Sequence, residues 1–347
     1  MTNKPVLITG SAGFFGDILK RELLTQGYTC VGLDLHKDDY THPKLLTVQG
    51  DIRDSNLVNR LFNENRFDTV FHCAAMLAHD IPDKNTLWES NVEGTRNIAN
   101  TAIQFKTSKL IFTSSNCLWG QSFSRPVHES DTPNPVEIYG MSKWEAEKLL
   151  VSCSTDLDII ILRCPTIIDE GRLGLLAILF EFINEGRTIW TVGPGRNRYQ
   201  FIYALDLANA CLKAMYYKGS RTFNVGSDNV QELREVYQHV IKHAETKSKV
   251  RSLPKHLTLL AMRLAHWLHI SPLGPYQYKM ISENFQFDTA RIKHELDWQP
   301  TLNNSEMLLR AYKYYHEHRT DIVRRSNISS HRKPAQMGII RLVKWLS

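Results

Sequence analysis

The chain has 347 residues, 42% of them hydrophobic and 22% charged, which suits one large α/β domain, alone or with a smaller companion. The formal net charge is +6, and residues 322–347, which hold six Lys and Arg and no acid, account for all of it. Residues 1–321 therefore have no net charge. This gives no support to a groove that binds nucleic acid. The six cysteines form no CxxC pair and no apolar run reaches membrane-spanning length, so we expect a cytoplasmic protein with reduced thiols, no signal peptide and no metal site.

The first predicted elements are a strand, a glycine turn and a helix. Residues 6–9 form an apolar run that is too short for a helix and typical of a buried parallel strand. Gly10, Gly13 and Gly16 follow at intervals of three, and a helical apolar pattern covers residues 14–24. Such a turn presents backbone N–H groups and the positive end of the helix dipole at one point. The pattern favours a pyrophosphate site over a glycine turn without a ligand.

The second predicted strand, residues 29–33, leads into Asp34, eighteen residues after Gly16. An acid at this strand tip is placed to accept hydrogen bonds from a ribose diol, and a spacing of about 20 residues is typical of dinucleotide folds. Its carboxylate would repel a 2′-phosphate, and no arginine follows it directly. The sequence therefore predicts NAD rather than NADP.

Further strands alternate with helical patterns along the chain, at residues 45–48, 70–72, 110–113, 159–163 and 222–225. This alternation predicts an α/β fold with a doubly wound parallel (Rossmann) sheet that binds ligands at the carboxyl ends of its strands. Asp51 and Ile52 follow the third strand and are expected beside the adenine ring. Ala74 and Ala75 follow the fourth strand, where small residues allow a ligand to pass close to the backbone.

Two histidines fall near this predicted crevice. His72 lies within the fourth strand, where a histidine whose hydrogen bonds are satisfied by the protein is more common than a catalyst. His79 lies further out in the loop and is the better candidate for a substrate contact.

Tyr139 and Lys143 stand four residues apart at the start of a predicted helix, so both side chains lie on one face. An ammonium beside a phenol favours the phenolate and lowers the pKa of the phenol toward neutrality. Such a tyrosine can exchange a proton with a substrate hydroxyl, while a serine at a neighbouring strand end holds the same oxygen. The spacing is common by accident, but it gains weight beside a dinucleotide turn in the same chain.

The order of these motifs resembles the extended short-chain dehydrogenase/reductase superfamily, and most closely its NAD-dependent epimerase/dehydratase family. The resemblance runs to about His318 and rests on residues 9–16 (TGSAGFFG), 34 (D), 51–52 (DI), 72–75 (HCAA), 91–95 (NVEGT), 114–115 (SS) and 139–143 (YGMSK). It implies a Rossmann domain with a smaller, partly interleaved C-terminal substrate domain. We expect the NAD-binding domain at residues 1–165 and 189–228, the substrate domain at 166–188 and 229–321, and a basic tail at 322–347.

The resemblance also implies roles for single residues. Tyr139 matches the catalytic tyrosine, Lys143 the lysine that binds the nicotinamide ribose and tunes the phenol, and Ser115 the catalytic serine. Besides Tyr139 and Lys143, the expected NAD contacts are Gly10, Gly13, Phe14, Phe15, Gly16, Asp34, Asp51, Ile52, Ala74, Ala75, Asn91, Ser114, Pro165 and Ile167. The expected substrate contacts are His79, Asn116, Arg196 and Arg198. The chain departs from the family at Tyr199, where sugar-nucleotide epimerases usually carry an arginine against the diphosphate.

Three features of the C-terminal part bear on function. Asp206 is expected to cap the helix that contains it. A leucine-rich helix at residues 256–269 either packs within the small domain or contacts a membrane surface or a lipid-like substrate. The tail, basic and apolar at helical spacing near its end, is a weak membrane-surface anchor, an unstructured basic end or a helix docked on the body.

Three functions fit the sequence. The leading one is a sugar-nucleotide epimerase with tightly held NAD, in which hydride leaves the sugar and returns to the other face of the ketone. The main alternative is an NAD-dependent alcohol dehydrogenase of the 3β-hydroxysteroid or a related type, toward which Tyr199 and the leucine-rich helix point. A dinucleotide-binding regulator without turnover is the third, and the intact Ser115, Tyr139 and Lys143 argue against it. The resemblance also suggests a homodimer formed through the helices at residues 88–105 and 139–150.

Overall fold

The computed structural model describes residues 4–77, 83–268 and 275–324 of the chain. These residues contain the strands β1 (Val6–Thr9), β2 (Cys30–Asp34), β3 (Leu45–Gln49), β4 (Thr69–His72), β5 (Lys109–Ser115), β6 (Asp158–Cys164), β7 (Thr166–Ile168), β8 (Ile189–Val192), β9 (Phe201–Tyr203), β10 (Arg221–Asn224) and β11 (Val250–Leu253). They also contain the helices α1 (Phe14–Thr25), α2 (Ser55–Asn65), α3 (Lys84–Trp88), α4 (Gly94–Gln104), α5 (Ile138–Ser152), α6 (Leu176–Asn184), α7 (Ala204–Ala214), α8 (Leu233–His243), α9 (Lys255–Trp267), α10 (Pro275–Ser282), α11 (Ala290–Leu296) and α12 (Asn304–Arg324).

The central sheet has seven strands in the order β10-β6-β5-β4-β1-β2-β3, and every neighbouring pair is parallel. All four residues of β1 and all seven of β5 are buried, which explains why these strands are apolar runs without alternation. The strand order reverses between β1 and β4. In an open parallel sheet, the crevice outside the carboxyl ends of the strands at such a reversal is the place where ligands bind.

Helices cover both faces of this sheet. One face packs against α1, α7 and α11, and the other against α2, α4 and α5. The indole of Trp298, fully buried on the first side, donates to the Asp206 carbonyl at 2.9 Å and ties the C-terminal segment to α7. The predicted doubly wound fold is confirmed.

A second core lies beside the sheet. It is built by α6, α8 and α12 with the two-stranded pairs β7–β9 and β8–β11. Within it the Phe180 ring meets the Tyr312 ring edge-on, with centroids 5.8 Å apart. The apolar stripe of α6 is buried here, as expected of core packing. The strand β8 pairs with β11 and not with the central sheet.

Four elements differ from expectation. The helix predicted for residues 88–105 begins at Lys84 and contains a π-helical turn, Glu89–Glu93. Asp206 does not cap α7: it lies inside the first turn, and its carboxylate accepts hydrogen bonds from the Thr301 N–H and hydroxyl at 2.8 and 2.7 Å. The helix α9 buries none of its residues, so core packing does not explain its leucines. Finally, α12 continues to Arg324, into the predicted tail.

Across the described ranges, no helix combines the length and the apolar composition that crossing a bilayer requires.

Candidate active site

The turn after β1 packs its backbone closely against the start of the loop that follows β4. Gly10 has a φ of +73°, a conformation that favours glycine, and a Cβ on it would lie 2.8 Å from the Ala74 nitrogen. A Cβ on Gly16 would collide with the Gly10 carbonyl oxygen, so α1 can meet the turn only because residue 16 has no side chain. Within the described part of the chain, the buried Ser11 hydroxyl has no hydrogen-bond partner. The close backbone approach and the spare hydroxyl fit a pyrophosphate at the N-terminus of α1.

Asp34 ends β2 beside this turn. Its carboxylate accepts hydrogen bonds from the Ala12 N–H at 3.0 Å and the His36 N–H at 2.9 Å. The two amides fix the carboxylate next to the glycine turn, where the predicted ribose contact requires it.

Lys20 is a buried cation under this end of the crevice, and the sequence analysis did not single it out. Its fully buried ammonium pairs with Asp38 at 2.5 Å and with Asp17 at 2.9 Å. Because two carboxylates neutralise it, Lys20 offers little to a 2′-phosphate, which agrees with the choice of NAD. The sequence feature that could have pointed to Lys20 is its position, a lysine within the apolar stripe of α1.

Asp51 and Ile52, which are predicted to lie beside the adenine ring, follow β3. Burial alone would raise the pKa of Asp51. Hydrogen bonds from Arg53, one of them 2.7 Å long, outweigh the effect of burial and hold the pKa of Asp51 below its usual range. The buried Ile52 side chain rests on Gly94, where a Cβ would come within 2.6 Å of it. These contacts position the loop between β3 and α2.

Asn91 lies in the π-helical turn and joins three segments. Its amide nitrogen donates to the Met76 carbonyl and to the Ser142 hydroxyl, both at 3.0 Å, and its amide oxygen accepts from the Met76 N–H at 2.8 Å. Asn91 is buried, and these contacts hold the loop after β4, with Ala74 and Ala75, against α5. The observed role is positioning of the crevice wall.

His72 is fully buried and hydrogen-bonds through both ring nitrogens, to the Thr9 hydroxyl at 2.7 Å and the Thr95 hydroxyl at 2.8 Å. Burial lowers its pKa to about 3, with the Lys143 charge acting in the same direction. The structural role expected of His72 is confirmed.

Ser115 and Tyr139 meet at the carboxyl end of β5. The Ser115 hydroxyl is near enough to the Tyr139 phenol to oppose the rise in the pKa of that phenol, and it accepts from the Cys117 N–H at 3.1 Å. The helix α5 reaches the strand end because residue 140 is glycine, since a Cβ there would collide with the Cys117 carbonyl oxygen. Gly140 had no role in the sequence analysis, although it sits within the YGMSK motif.

The prediction that Lys143 lowers the pKa of Tyr139 is wrong. Burial raises the pKa of Tyr139 above its ordinary value, and the Ser115 hydroxyl and the Arg172 charge only partly oppose this. Lys143 packs its ammonium 3.9 Å from the centroid of the Phe112 ring instead of acting on the phenol. Burial lowers the pKa of Lys143 to about 8, against opposing effects of Cys164, Glu147 and Cys73.

The end of β6 completes this wall. The Cys164 thiol donates to the Ser114 carbonyl at 3.1 Å, and the buried Ser114 hydroxyl has no partner among the described residues. Beneath them, the Arg163 guanidinium and the Glu147 carboxylate form a buried pair at 2.7 Å that fixes α5 on β6. Pro165 and Ile167 continue the chain from β6 through β7 at this edge of the sheet.

The substrate side is where the chain departs from the family that its sequence resembles. Asn116 is buried and donates to the Tyr199 phenol at 2.6 Å, so these two lie together. Arg196 and Arg198 are both exposed, and Arg198 is held by the Val230 carbonyl at 2.5 Å and the Glu232 carboxylate at 3.7 Å. His79 lies outside the described residues. Where the family usually has an arginine, this chain has the buried phenol of Tyr199.

A glycine turn, a strand-tip acid and a Ser–Tyr–Lys set lie together on one edge of a parallel sheet, which is the arrangement expected of an NAD-dependent enzyme. A family model described as the NAD dependent epimerase/dehydratase family matches residues 6–226. The chain belongs to this family, and the prediction of NAD as its cofactor is confirmed.

Individual relatives agree with this assignment. An uncharacterized protein of Sinorhizobium fredii, y4nG, is 35% identical over 344 residues, covering 99% of this chain and 86% of that protein. A putative UDP-glucose 4-epimerase of Methanocaldococcus jannaschii is 28% identical over 251 residues, covering 69% and 81%. The structure of the UDP-glucose 4-epimerase of Thermotoga maritima with UDP-glucose is similar with a TM-score of 0.75 at 21% identity, covering 90% of this chain and 99% of that one. This structural likeness shows the shared fold.

Proposed function

We propose that the enzyme epimerises a secondary alcohol of a nucleotide sugar. The observation that carries the proposal is the contact between Ser115 and Tyr139 at the strand end, with Lys143 on the same helix. This is the set that proton exchange with a substrate hydroxyl requires.

Each residue of the set has a separate task. The Ser115 hydroxyl holds the reacting oxygen by a hydrogen bond, and the Tyr139 phenol is the group that exchanges a proton with it. Lys143, in this proposal, binds the nicotinamide ribose. NAD, when bound, supplies the acceptor for the hydride on the carbon and the donor that returns it. The substrate ketone turns over between the two transfers, so no net oxidation occurs.

A dehydratase is less well supported than an epimerase. The dehydratase branch carries an acid pair at this strand end, whereas Asn116 and Cys117 follow Ser115 here. Asn116 is held by the Tyr199 phenol, so its amide does not replace an acid.

A single oxidation of an alcohol, of the 3β-hydroxysteroid or a related type, is the second candidate. The buried Tyr199 favours it, because a phenol at this position lacks the charge that binds a diphosphate. Neither Arg196 nor Arg198 is buried beside it.

One assay separates the two candidates. The purified full chain is tested for retained NAD and then incubated with a panel of sugar nucleotides and hydroxysteroids while the absorbance of reduced nicotinamide is followed. Isomer formation without added NAD and without accumulating NADH supports the epimerase. Stoichiometric NADH from an alcohol would reject it in favour of the dehydrogenase, and no turnover of either class would reject both.

The proposal includes a cytoplasmic homodimer with weak membrane-surface contact through the tail. All six cysteines are free thiols, which suits a reducing compartment. The dimer is expected to pair α4 and α5 of one subunit with those of the other. Sedimentation velocity of the full chain tests it, and a monomer at micromolar concentration would contradict it.

A further inference from the structure

The helix α9 carries an unusual amount of exposed apolar surface. Five large side chains of α9 and the residue after it are between 50% and 73% exposed, namely Leu257, Leu260, Leu264, Trp267 and Leu268. We call these five residues the α9 face. Elsewhere in the described ranges, the exposed large hydrophobic residues are dispersed along the chain, as on most protein surfaces. A concentration of this kind marks an interaction site.

The α9 face is a single stripe on the helix. At 3.6 residues per turn its five residues fall within an arc of about 100°, bordered on one side by His256 and Arg263. The opposite side of the helix is already in contact with the protein. There the Met262 carbonyl accepts a hydrogen bond from the Tyr278 phenol of α10 at 2.8 Å, and Leu259 lines a cavity of about 500 Å³ between α9 and α10. The stripe therefore points away from the body.

The sequence around α9 is rich in cations, although Lys255, its first residue, pairs with Glu283 at 3.0 Å. Residues 246–282 contain six Lys and Arg and no acid, and the tail, residues 322–347, contains another six and no acid. Since the whole chain carries +6, the remaining residues carry a net charge of −6. In the first segment, Lys247, Lys249, Arg251 and Arg263 are exposed. The exposed apolar face thus belongs to one of the two cationic parts of an otherwise acidic protein.

We propose that the α9 face docks onto an anionic phospholipid membrane, with the helix lying in the plane of the interface. Leu and Trp on one side of a helix that contains no acid, with Arg263 at the border of that side, are the composition of interfacial helices. A second copy of this chain is a poorer occupant, because pairing two α9 faces would bring two cationic segments together. The proposal does not depend on the reaction that the enzyme catalyses.

The test is sedimentation of the full chain with vesicles of phosphatidylcholine, pure or mixed with phosphatidylglycerol. We expect binding to the anionic vesicles that weakens as salt is added. The variant L260E/L264E should lower the partition coefficient by about tenfold for each leucine, since each contributes a buried apolar side chain to the docked state. A matched control is Leu46→Glu, which places the same charge on a leucine of β3 that is 51% exposed, and it should bind like the parent chain.

Three results would overturn the proposal. The first is that the full chain fails to sediment with anionic vesicles. The L260E/L264E variant could bind as well as the parent while a chain ending at Arg324 does not, which would assign binding to the tail. Sedimentation velocity could instead show a dimer that L260E/L264E separates, with no vesicle binding by the parent.

A second variant protects the test against loss of fold. L257Q/L268Q changes the same face without adding charge and should also lower vesicle binding. NAD retention and turnover in solution, measured on both variants, should equal those of the parent, because no described contact joins the α9 face to Ser115, Tyr139 or Lys143. Loss of turnover in both variants together with loss of vesicle binding would count against the proposal.

Discussion

The cofactor side of the crevice is held by the backbone and by neighbouring strands, whereas the substrate side is held by side chains far apart in the chain. On the cofactor side, the Asp34 carboxylate accepts from the Ala12 amide 22 residues away, at the tips of the adjacent strands β1 and β2. On the substrate side, Asn116 donates to Tyr199 across 83 residues, and the Phe201 N–H donates to Asn304 across 103. The first side can therefore stay constant while the second varies, which is how one fold serves several substrates.

The largest expected effect falls where the two sides meet. Tyr139→Phe removes the proton acceptor and should lower turnover by about a thousandfold, with NAD still bound. Turnover is measured on the substrate found by the panel, and Tyr216→Phe, at an exposed tyrosine, is the control. Full activity of the Tyr139→Phe variant would refute both the epimerase and the dehydrogenase mechanism.

Lys143→Met should abolish turnover yet stabilise the fold. Burial lowers the pKa of Lys143 from 10.5 to about 8, so the folded chain binds fewer protons than the unfolded chain between these values, and its stability rises with pH across that range. At pH 7 the buried charge costs the fold about 3 kcal/mol, which the methionine removes. Denaturant titrations at several pH values check this, and the advantage of the variant should shrink from pH 8 upward. An equal stability of the two chains at pH 7 would contradict the assignment of a buried charge.

Gly16→Ala probes the cofactor side alone. The added methyl group collides with the Gly10 carbonyl oxygen, and overpacking of this kind costs about 1–3 kcal/mol, or roughly tenfold to a hundredfold in NAD affinity. NAD binding is measured by titration calorimetry. If affinity is unchanged, the turn is not the pyrophosphate site.

The smallest effect is expected on the substrate side. Tyr199→Phe removes the hydrogen bond to Asn116, which is worth about 1 kcal/mol, so KM for the substrate should rise by about fivefold. NAD affinity should not change. A loss of NAD affinity equal to the rise in KM would show that the two sides are not separable.

The cofactor side was predictable because its signals are local. The glycine spacing, the acid at the tip of β2 and the apolar runs of the strands depend on residues close in sequence, and all reappear in the structure. Other features depend on distant partners. The carboxylate of Asp206 looked like a cap from its place near a helix start, but Thr301, 95 residues away, determines its role.

The site chemistry was harder to predict than the site geometry. Tyr139 and Lys143 do share a helix, yet the pKa of each is governed by burial, which a spacing of four residues cannot report. The leucines of α9 show the same limit. Their periodicity predicted a helix correctly, but periodicity alone does not distinguish a face that meets the core from one that meets solvent.

The π-helical turn at Glu89–Glu93 has a consequence for how this chain can change over evolution. A π turn holds one residue more than the α-helix around it. Deleting a single residue there would replace the wide turn by a regular helical turn and would displace Asn91, which lies in it. Asn91 and Thr95 could not then both keep their partners, Met76 and His72. Insertions and deletions should therefore be rare in this turn and should accumulate in the surface loops.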